Sequence, residues 1–379
     1  MTAATPHDSP TAQTLRAALP DVLRQFRAEG RFREGGPLGN GHIHDTFSVT
    51  VDAAAGSRRY VLQHINTRVF PKPLDVMANI VRVTRHLGAK LGDAKGGFRA
   101  MVVIETREGA TWFRDAQGQY WRCYDFVEGT HPYTEGEDDP RRHGYEAARA
   151  FGRFQQLLAD LPAPPLLETI PGFHDTPARF RALERAADAD AAHRAIEAGD
   201  ELDFARQRQP LTRALDDPFR RGEVPLRIVH NDTKLNNVLF DNQTGAGACV
   251  IDLDTVMPGL ALHDFGDMCR FGTNTAREDE DADRVRVNLE VFEALVRGYL
   301  ESVGGMLNAA ERRLLVASTR VITFEIGVRF LTDYLNGDIY FKIKRPRHNL
   351  DRARNQFALL ASMERAEARM EKIAAAASS

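Results

Sequence analysis

The residues best placed to do chemistry lie in one stretch, His230-Asn231-Asp232-Thr233-Lys234-Leu235-Asn236-Asn237. The spacing suits transfer of a phosphoryl group. Asp232 would accept a proton, or a strong hydrogen bond, from an attacking hydroxyl. Asn237 would offer a neutral oxygen to Mg²⁺, and Lys234, between them, would neutralise the γ-phosphate of ATP. The bland alternative is a polar turn between the apolar runs Leu226–Val229 and Val238–Phe240. A second hard oxygen ligand is expected where the next apolar run ends, in Cys249-Val250-Ile251-Asp252-Leu253-Asp254. Asp252 is therefore assigned to the metal with Asn237, as oxygen donors of this kind suit Mg²⁺ rather than zinc. Asp254 stays open between metal, substrate and turn-capping roles, and Asn236 is a further candidate.

Other segments complete such a site. Gly39-Asn40-Gly41, just ahead of His44 and Asp45, would let backbone amides approach phosphate oxygens, although two glycines alone also describe a turn. Asp125, Phe126 and Val127 would offer backbone groups to an adenine edge. Asp264-Phe265-Gly266 reads as a decoy for the metal ligand, because no strand is expected before it; Asp264 is expected to cap a helix or brace the loop at Asp232. Within the apolar segment Val321 to Leu335, the charged residues Glu325, Arg329 and Asp333 recur at i, i+4 spacing. A solvated stripe explains that spacing, but an arginine followed by Tyr340 also suits a sugar, through hydroxyl hydrogen bonds and ring packing.

The elements that must carry these groups follow from periodicity. A helix is expected from Leu15 to about Arg27, and a hairpin from Thr46–Val51 and Arg59–Ile65. A second helix is expected over Pro73–Leu87, with further strands over Met101–Glu105 and Tyr120–Phe126. Beyond Gly129 the pattern becomes helical: Arg142–Ala159, two stretches within Thr176–Leu215, and almost everything from Glu278 to Ala377. A β-like interlude spans Leu226–Leu253. The resulting expectation is an α+β chain of two lobes: a disordered tail over 1–13, a nucleotide-binding lobe with a small antiparallel sheet over 14–128, and a larger, mostly helical catalytic lobe over 129–379. The hinge is expected near 125–129.

Composition bounds the partners. The 379 residues are 43% hydrophobic and 27% charged, with a net charge of −3, which disfavours a dedicated nucleic-acid binder. No apolar run approaches the roughly 20 residues that cross a bilayer. Three scattered cysteines, Cys123, Cys249 and Cys269, read as reduced thiols, and a cytoplasmic location is expected. Oligomeric state is left open.

The loop at Asp232 fits H-x-D-x-K-x-x-N, the catalytic pattern of protein kinases and their small-molecule relatives. With Asp252 and the two lobes, it resembles the aminoglycoside phosphotransferase / choline kinase superfamily, with a protein-kinase-like fold. Leu62-Gln63-His64-Ile65-Asn66-Thr67, Asp264-Phe265-Gly266-Asp267, the stretch Gly327 to Tyr334, and Gly337-Asp338 with Tyr340-Phe341 narrow the resemblance to the N-acetylhexosamine 1-kinases. The strand Tyr60 to Asn66 lacks the lysine that protein kinases place on the phosphates. Gln63 or His64 would substitute, or the phosphates would rely on Mg²⁺ and Lys234, or the chain would be a silent nucleotide-binding regulator. The narrower resemblance has Leu-Gln-His-Ile-Asn in its own pattern, which favours an active enzyme. It implies ATP- and Mg²⁺-dependent phosphorylation of the anomeric hydroxyl of GlcNAc or GalNAc, with Asp232 as base. Arg329 and Tyr340 would then contact the sugar, joined by His44 or Asp45. Aminoglycosides, choline and other amino alcohols or sugars remain alternative acceptors.

Overall fold

The computed structural model describes residues 12–39, 43–92, 97–134, 139–303 and 305–377. They fall into two compact units: the described parts of Met1–Asp93 with Arg99–Glu128, and those of Ala94–Phe98 with Gly129–Ser379. Asn40 and Gly41 lie outside the described residues.

The first unit is a sheet faced by helices. After α1 (Ala12–Leu23) come β1 (Arg31–Pro37), β2 (Asp45–Ala53), β3 (Gly56–Ile65), α2 (Pro73–Leu91), β4 (Val103–Ile104), β5 (Phe113–Arg114) and β6 (Tyr120–Asp125). The antiparallel order is β1-β2-β3-β6-β4, with β5 also on β6. Alternation explains β2 and β3: Phe47, Val49 and Val51 with Tyr60 and Leu62 face one core, which α1 closes through Leu15, Leu19, Val22 and Leu23. Gly56 has φ 113°, a conformation only glycine adopts cheaply, at the tight turn between them. The first helix ends at Leu23, four residues earlier than its periodicity implied, and Phe26 continues the apolar face from an isolated bridge to Thr106. Strand β1 was not separately legible, because a bulge between Phe32 and Glu34 breaks its alternation.

The second unit begins with β7 (Thr130–Pro132), α3 (Pro140–Leu158), α4 (Thr176–Ala189), α5 (Gly199–Gln207) and α6 (Asp216–Arg220). It continues through β8 (Arg227–Val229), β9 (Val238–Asp241), β10 (Gly247–Val250), β11 (Met257–Gly259) and α7 (Ala261–Gly272). It ends with α8 (Leu289–Val303), α9 (Ala309–Arg313), α10 (Leu315–Leu335) and α11 (His348–Ala377). Strands β10, β9 and β7 form one antiparallel sheet, and β11 pairs with β8. A core of Phe180, Leu183, Phe324, Val328, Leu331, Leu350 and Phe357 locks α4, α10 and α11 together.

Three expectations need correction. A strand, β11, does precede Asp264; at three residues it was too short to show a period. Residues 278–288 are not helical throughout, but hold a single 3-10 turn, Ala282–Arg284, and an Asn274–Val287 bridge. The charged stripe of α10 is not solvated, since Glu325 is fully buried and Asp333 is 4% exposed.

Helices α7 and α10 pack closely at Gly266, where an added Cβ would lie 2.5 Å from the Ser318 carbonyl oxygen. Gly266→Ala is therefore expected to lose roughly 1–3 kcal/mol of stability by overpacking. Gly36→Ala, with open space around the new methyl, is expected to stay within about 0.5 kcal/mol of the parent. Urea denaturation of both variants checks the contrast.

Candidate active site

The loop at Asp232 leaves β8 and enters β9 through a 3-10 turn, Leu235–Asn237. Asn231 takes a left-handed conformation, φ 65°, which Asn tolerates better than most residues. Asp264 holds this turn from the first helical turn of α7. Its carboxylate accepts from the backbone N–H groups of His230 at 2.8 Å and Asn231 at 2.7 Å, and from Gln155 Nε2 at 2.6 Å. The Thr233 hydroxyl donates to the Asp264 carbonyl at 2.6 Å. The cap of α7 is Leu260, so of the two expected roles Asp264 takes the brace. Behind it, Tyr299 donates to Gln155 Oε1 at 2.8 Å, extending the chain to α8. Burial pushes the Asp264 carboxyl up, against the opposing pull of His230 and these donors.

Asp232 and Lys234 form a pair, Nζ to Oδ1 3.2 Å, with side chains 23% and 32% exposed. Burial raises the Asp232 carboxyl, but the Lys234 ammonium, His230 and Arg270 together outweigh it and hold the group below its ordinary value. Lys234 is raised in turn, chiefly by Asp232. Arg270 is buried between Asp267, at 2.9 Å, and Glu278, at 3.3 Å. Asp232 is thus an ionised acceptor of hydrogen bonds throughout the neutral range.

Asn237 directs its amide N–H groups at the Asp232 carbonyl, 2.8 Å, and at Asp232 Oδ2, 3.3 Å. That orientation leaves its side-chain oxygen for a hard cation. The Ile251 N–H donates to the Asn237 carbonyl at 2.9 Å, which brings the next residue, exposed Asp252 with φ 62°, beside the turn. Among the described residues no three His, Cys, Asp or Glu side chains cluster as a protein-only metal site. One amide oxygen and one carboxylate nevertheless fit Mg²⁺, which normally completes its shell with phosphate and water. Asp254 is buried in the adjacent 3-10 turn, and the Thr169 hydroxyl donates to its carbonyl at 2.8 Å; Asn236 is exposed.

A cavity of about 240 Å³ opens beside α10, lined by Arg179, Arg329, Asp333, Tyr340, Phe341 and neighbours. Asp333 shapes its rim. Its carboxylate accepts from the backbone N–H groups of Ile339 at 3.0 Å, Tyr340 at 2.8 Å and Phe341 at 2.9 Å, and from Asn349 Nδ2 at 2.9 Å. Glu325 is likewise engaged, by His174 at 2.7 Å and Thr176 at 2.6 Å. Arg329 has neither as a partner: its guanidinium lies 5.0 Å from the Phe173 ring and 5.7 Å from Phe341, with no hydrogen bond or salt bridge among the described residues. Arg179 donates to the Phe173 carbonyl at 3.0 Å, while its Nε is buried without a partner among the described residues. Burial, then Arg329, pushes the Arg179 guanidinium down. The cavity is electropositive and partly aromatic. Arg179, Phe173 and His174 carried no sequence signal, since only α4 and the chain before it bring them here.

The remaining candidates belong to the first unit. Gly39 has φ 69° and open space around it. Gln63 bridges strands, donating to Thr46 Oγ1 at 2.9 Å and accepting from Arg122 Nε at 2.9 Å. His64 lies between Asp45, 3.1 Å, and Gln119, 2.7 Å; burial would lower it, but these partners hold it above its ordinary value. His44 is buried, stacked on Phe70, and its Nδ1 accepts from the Asn66 N–H at 3.0 Å. Asp125 pairs with Arg58 at 3.2 Å, and the Arg59 guanidinium covers the Phe126 ring at 3.7 Å, just ahead of Val127.

Comparison with known proteins adds the family context. Residues 34–299 match the family model described as the phosphotransferase enzyme family. An aminoglycoside phosphotransferase from Alicyclobacillus acidocaldarius shares the fold at TM-score 0.60 and 15% identity, over 94% of this chain and 96% of that one. A choline kinase from Cryptosporidium parvum gives 0.58 at 12% identity, over 94% and 97%. An amicoumacin kinase in complex with AMP-PNP and Ca²⁺ gives 0.57 at 13%, over 90% and 92%. The α+β architecture, an antiparallel-sheet unit followed by a helical one, is the fold of these phosphotransferases.

Asp264→Ala strands two buried backbone N–H groups and the Gln155 amide, each worth about 1–3 kcal/mol when left unpaired. It is expected to lower the melting temperature strongly. Asp252→Ala, at an exposed position, is expected to leave melting within a few degrees and to abolish Mg²⁺-dependent nucleotide binding in titration calorimetry. The reverse pattern would move the metal to Asp264.

Proposed function

Because the chain belongs to the phosphotransferase enzyme family, we propose that it uses ATP to phosphorylate the anomeric (C1) hydroxyl of an N-acetylhexosamine, GlcNAc or GalNAc. The observation that carries the acceptor class is the cavity beside α10. Its two arginines lack carboxylate partners, and its acids, Asp333 and neighbouring Glu325, are already hydrogen-bonded. Such a field repels a cationic aminoglycoside or amino alcohol. It favours a neutral ligand rich in acceptor oxygens that can pack on an aromatic ring, as a hexosamine bearing an N-acetyl group does.

In this mechanism Arg329 donates to sugar oxygens and Tyr340, 53% exposed, packs on the pyranose face. Asp232 accepts the C1 hydroxyl proton as that oxygen bonds to the γ-phosphorus and ADP departs. An anomeric hydroxyl is more acidic than an ordinary alcohol, so a carboxylate held below its usual range suffices. Lys234 turns its charge to the transferring phosphoryl group as Asp232 becomes protonated. Asn237 and Asp252 would hold Mg²⁺, which supplies charge neutralisation on the phosphate oxygens. The nucleotide roles expected of Gly39, Asn40, Gly41, Gln63 and Asp125–Val127, and the sugar contact of His44 or Asp45, belong to the same proposal.

ADP release measured across GlcNAc, GalNAc, glucose, an aminoglycoside, choline and ethanolamine tests it. The N-acetylhexosamines are expected to give the highest kcat/KM; preference for a cationic acceptor overturns the reading. Asp232→Asn is expected to lower kcat by at least about 10²-fold while ATP still binds. Arg329→Met is expected to raise the hexosamine KM by roughly tenfold or more with the ATP KM and melting temperature nearly unchanged, since no salt bridge or hydrogen bond among the described residues is lost.

A further inference from the structure

The loop before α4 contains a histidine that the mechanism above does not use. His174 sits with its side chain 3% exposed between two acceptors. Its Nδ1 is 2.7 Å from Glu325 Oε1 on α10, and its Nε2 is 3.1 Å from the carbonyl oxygen of Asn231, the residue before Asp232. A carbonyl can only accept. Glu325 also accepts the Thr176 hydroxyl, so it presents a carboxylate to the ring. Both imidazole nitrogens therefore donate.

We propose that His174 is a positioning residue for phosphoryl transfer, tying α10 to the Asn231 carbonyl and so fixing the direction of the Asp232 side chain. Asn231 is otherwise clamped by Asp264 through its N–H and by the Thr255 carbonyl through its side-chain amide at 2.9 Å. The carbonyl is its remaining backbone polar group, and His174 holds it. The neighbouring ring, Phe173, packs on Arg329, so one dipeptide touches both the cavity beside α10 and the catalytic turn.

The groups facing His174 are Glu325 and Arg329 of α10, His263 of α7 and the Asn231 carbonyl. Burial would push His174 down, but Glu325 outweighs burial and the repulsion of Arg329 and holds it above its ordinary value. Glu325 responds in kind: burial acts to raise it, yet His174 chiefly, with Arg329 and Thr176, brings it to about 2. His263, 4.8 Å from the His174 ring, is pushed down to about 3 by burial and by His174, so it stays neutral and does not titrate in the same range. As pH rises through the raised value of His174, the ring loses one of its two protons and one acceptor loses its donor.

The inference rests on Asp232 as the base and not on the identity of the acceptor. The experiment is the single-turnover rate of phosphoryl transfer against pH, using whichever acceptor in the panel turns over fastest. Wild type is expected to slow above neutral pH. His174→Gln, whose donors share one nitrogen and so cannot span acceptors met by the two separate ring nitrogens, is expected to be about 10-fold slower or more at pH 7. Its KM values for acceptor and ATP should stay within about twofold, and the basic limb should vanish. Glu325→Gln keeps the shape and the Thr176 contact but removes the charge that raises His174, so the limb should move to lower pH. A His174→Gln enzyme with the wild-type rate and limb overturns the proposal. So does a limb that does not move in Glu325→Gln, which stands even if the first variant fails to fold. Transfer to a cationic acceptor would overturn the sugar reading alone.

Discussion

A single buried carboxylate, Asp264, is the constraint on which the second unit depends around Asp232. It has no solvent exposure, and an unpaired charge there would be prohibitively costly. The chain satisfies it with two backbone N–H groups of the turn before Asp232 and an amide of α3. Meeting the needs of that carboxylate forces His230 and Asn231 into place, and the left-handed Asn231 then turns Asp232 outward. The close approach of α7 to α10 at Gly266 keeps Asp264 at the right depth. The same demand reaches α8 through Gln155 and Tyr299. Removing the carboxylate therefore undoes a junction of four elements rather than one contact.

Charge around the site is arranged in two opposite senses. Near Asp232, negative and positive groups alternate through Lys234, Asp267, Arg270 and Glu278, so its carboxylate is ionised yet nearly neutralised. Beside α10 the acids are engaged by backbone, histidine and hydroxyl donors, and two arginines are left facing the cavity. Two like charges close together in a partly buried pocket are unfavourable unless a ligand meets them. That imbalance is the observation on which the proposal of a neutral acceptor rests.

The turn at Asp232 was legible as a candidate site because its residues are local: Asp232, Lys234 and Asn237 follow one another on a single turn. Asp264 was legible as a cap or brace from the helical stretch it opens, although the strand that precedes it was missed. The i, i+4 charges of α10 announced an unusual helix, but periodicity could not say which side chain had partners. Glu325 meets His174 across 151 residues and His174 meets Asn231 across 57, distances over which no spacing rule operates. Short or bulged strands such as β1, β7 and β11 escape for a different reason, since pairing rather than alternation creates them. Gln63 was legible as a candidate, but its protein partners were not: the register of β3 on β2 and β6 brings it to Thr46 and Arg122.

The most direct measurement of the account is where the phosphate ends up. Purified protein, ATP and Mg²⁺ are incubated with GlcNAc, and the product is read by ³¹P–¹H correlation NMR. The account requires a phosphorus coupled to the anomeric proton and no signal coupled to the C6 methylene. A phosphate on C6, or no sugar phosphate while choline or an aminoglycoside is converted under the same conditions, would contradict it.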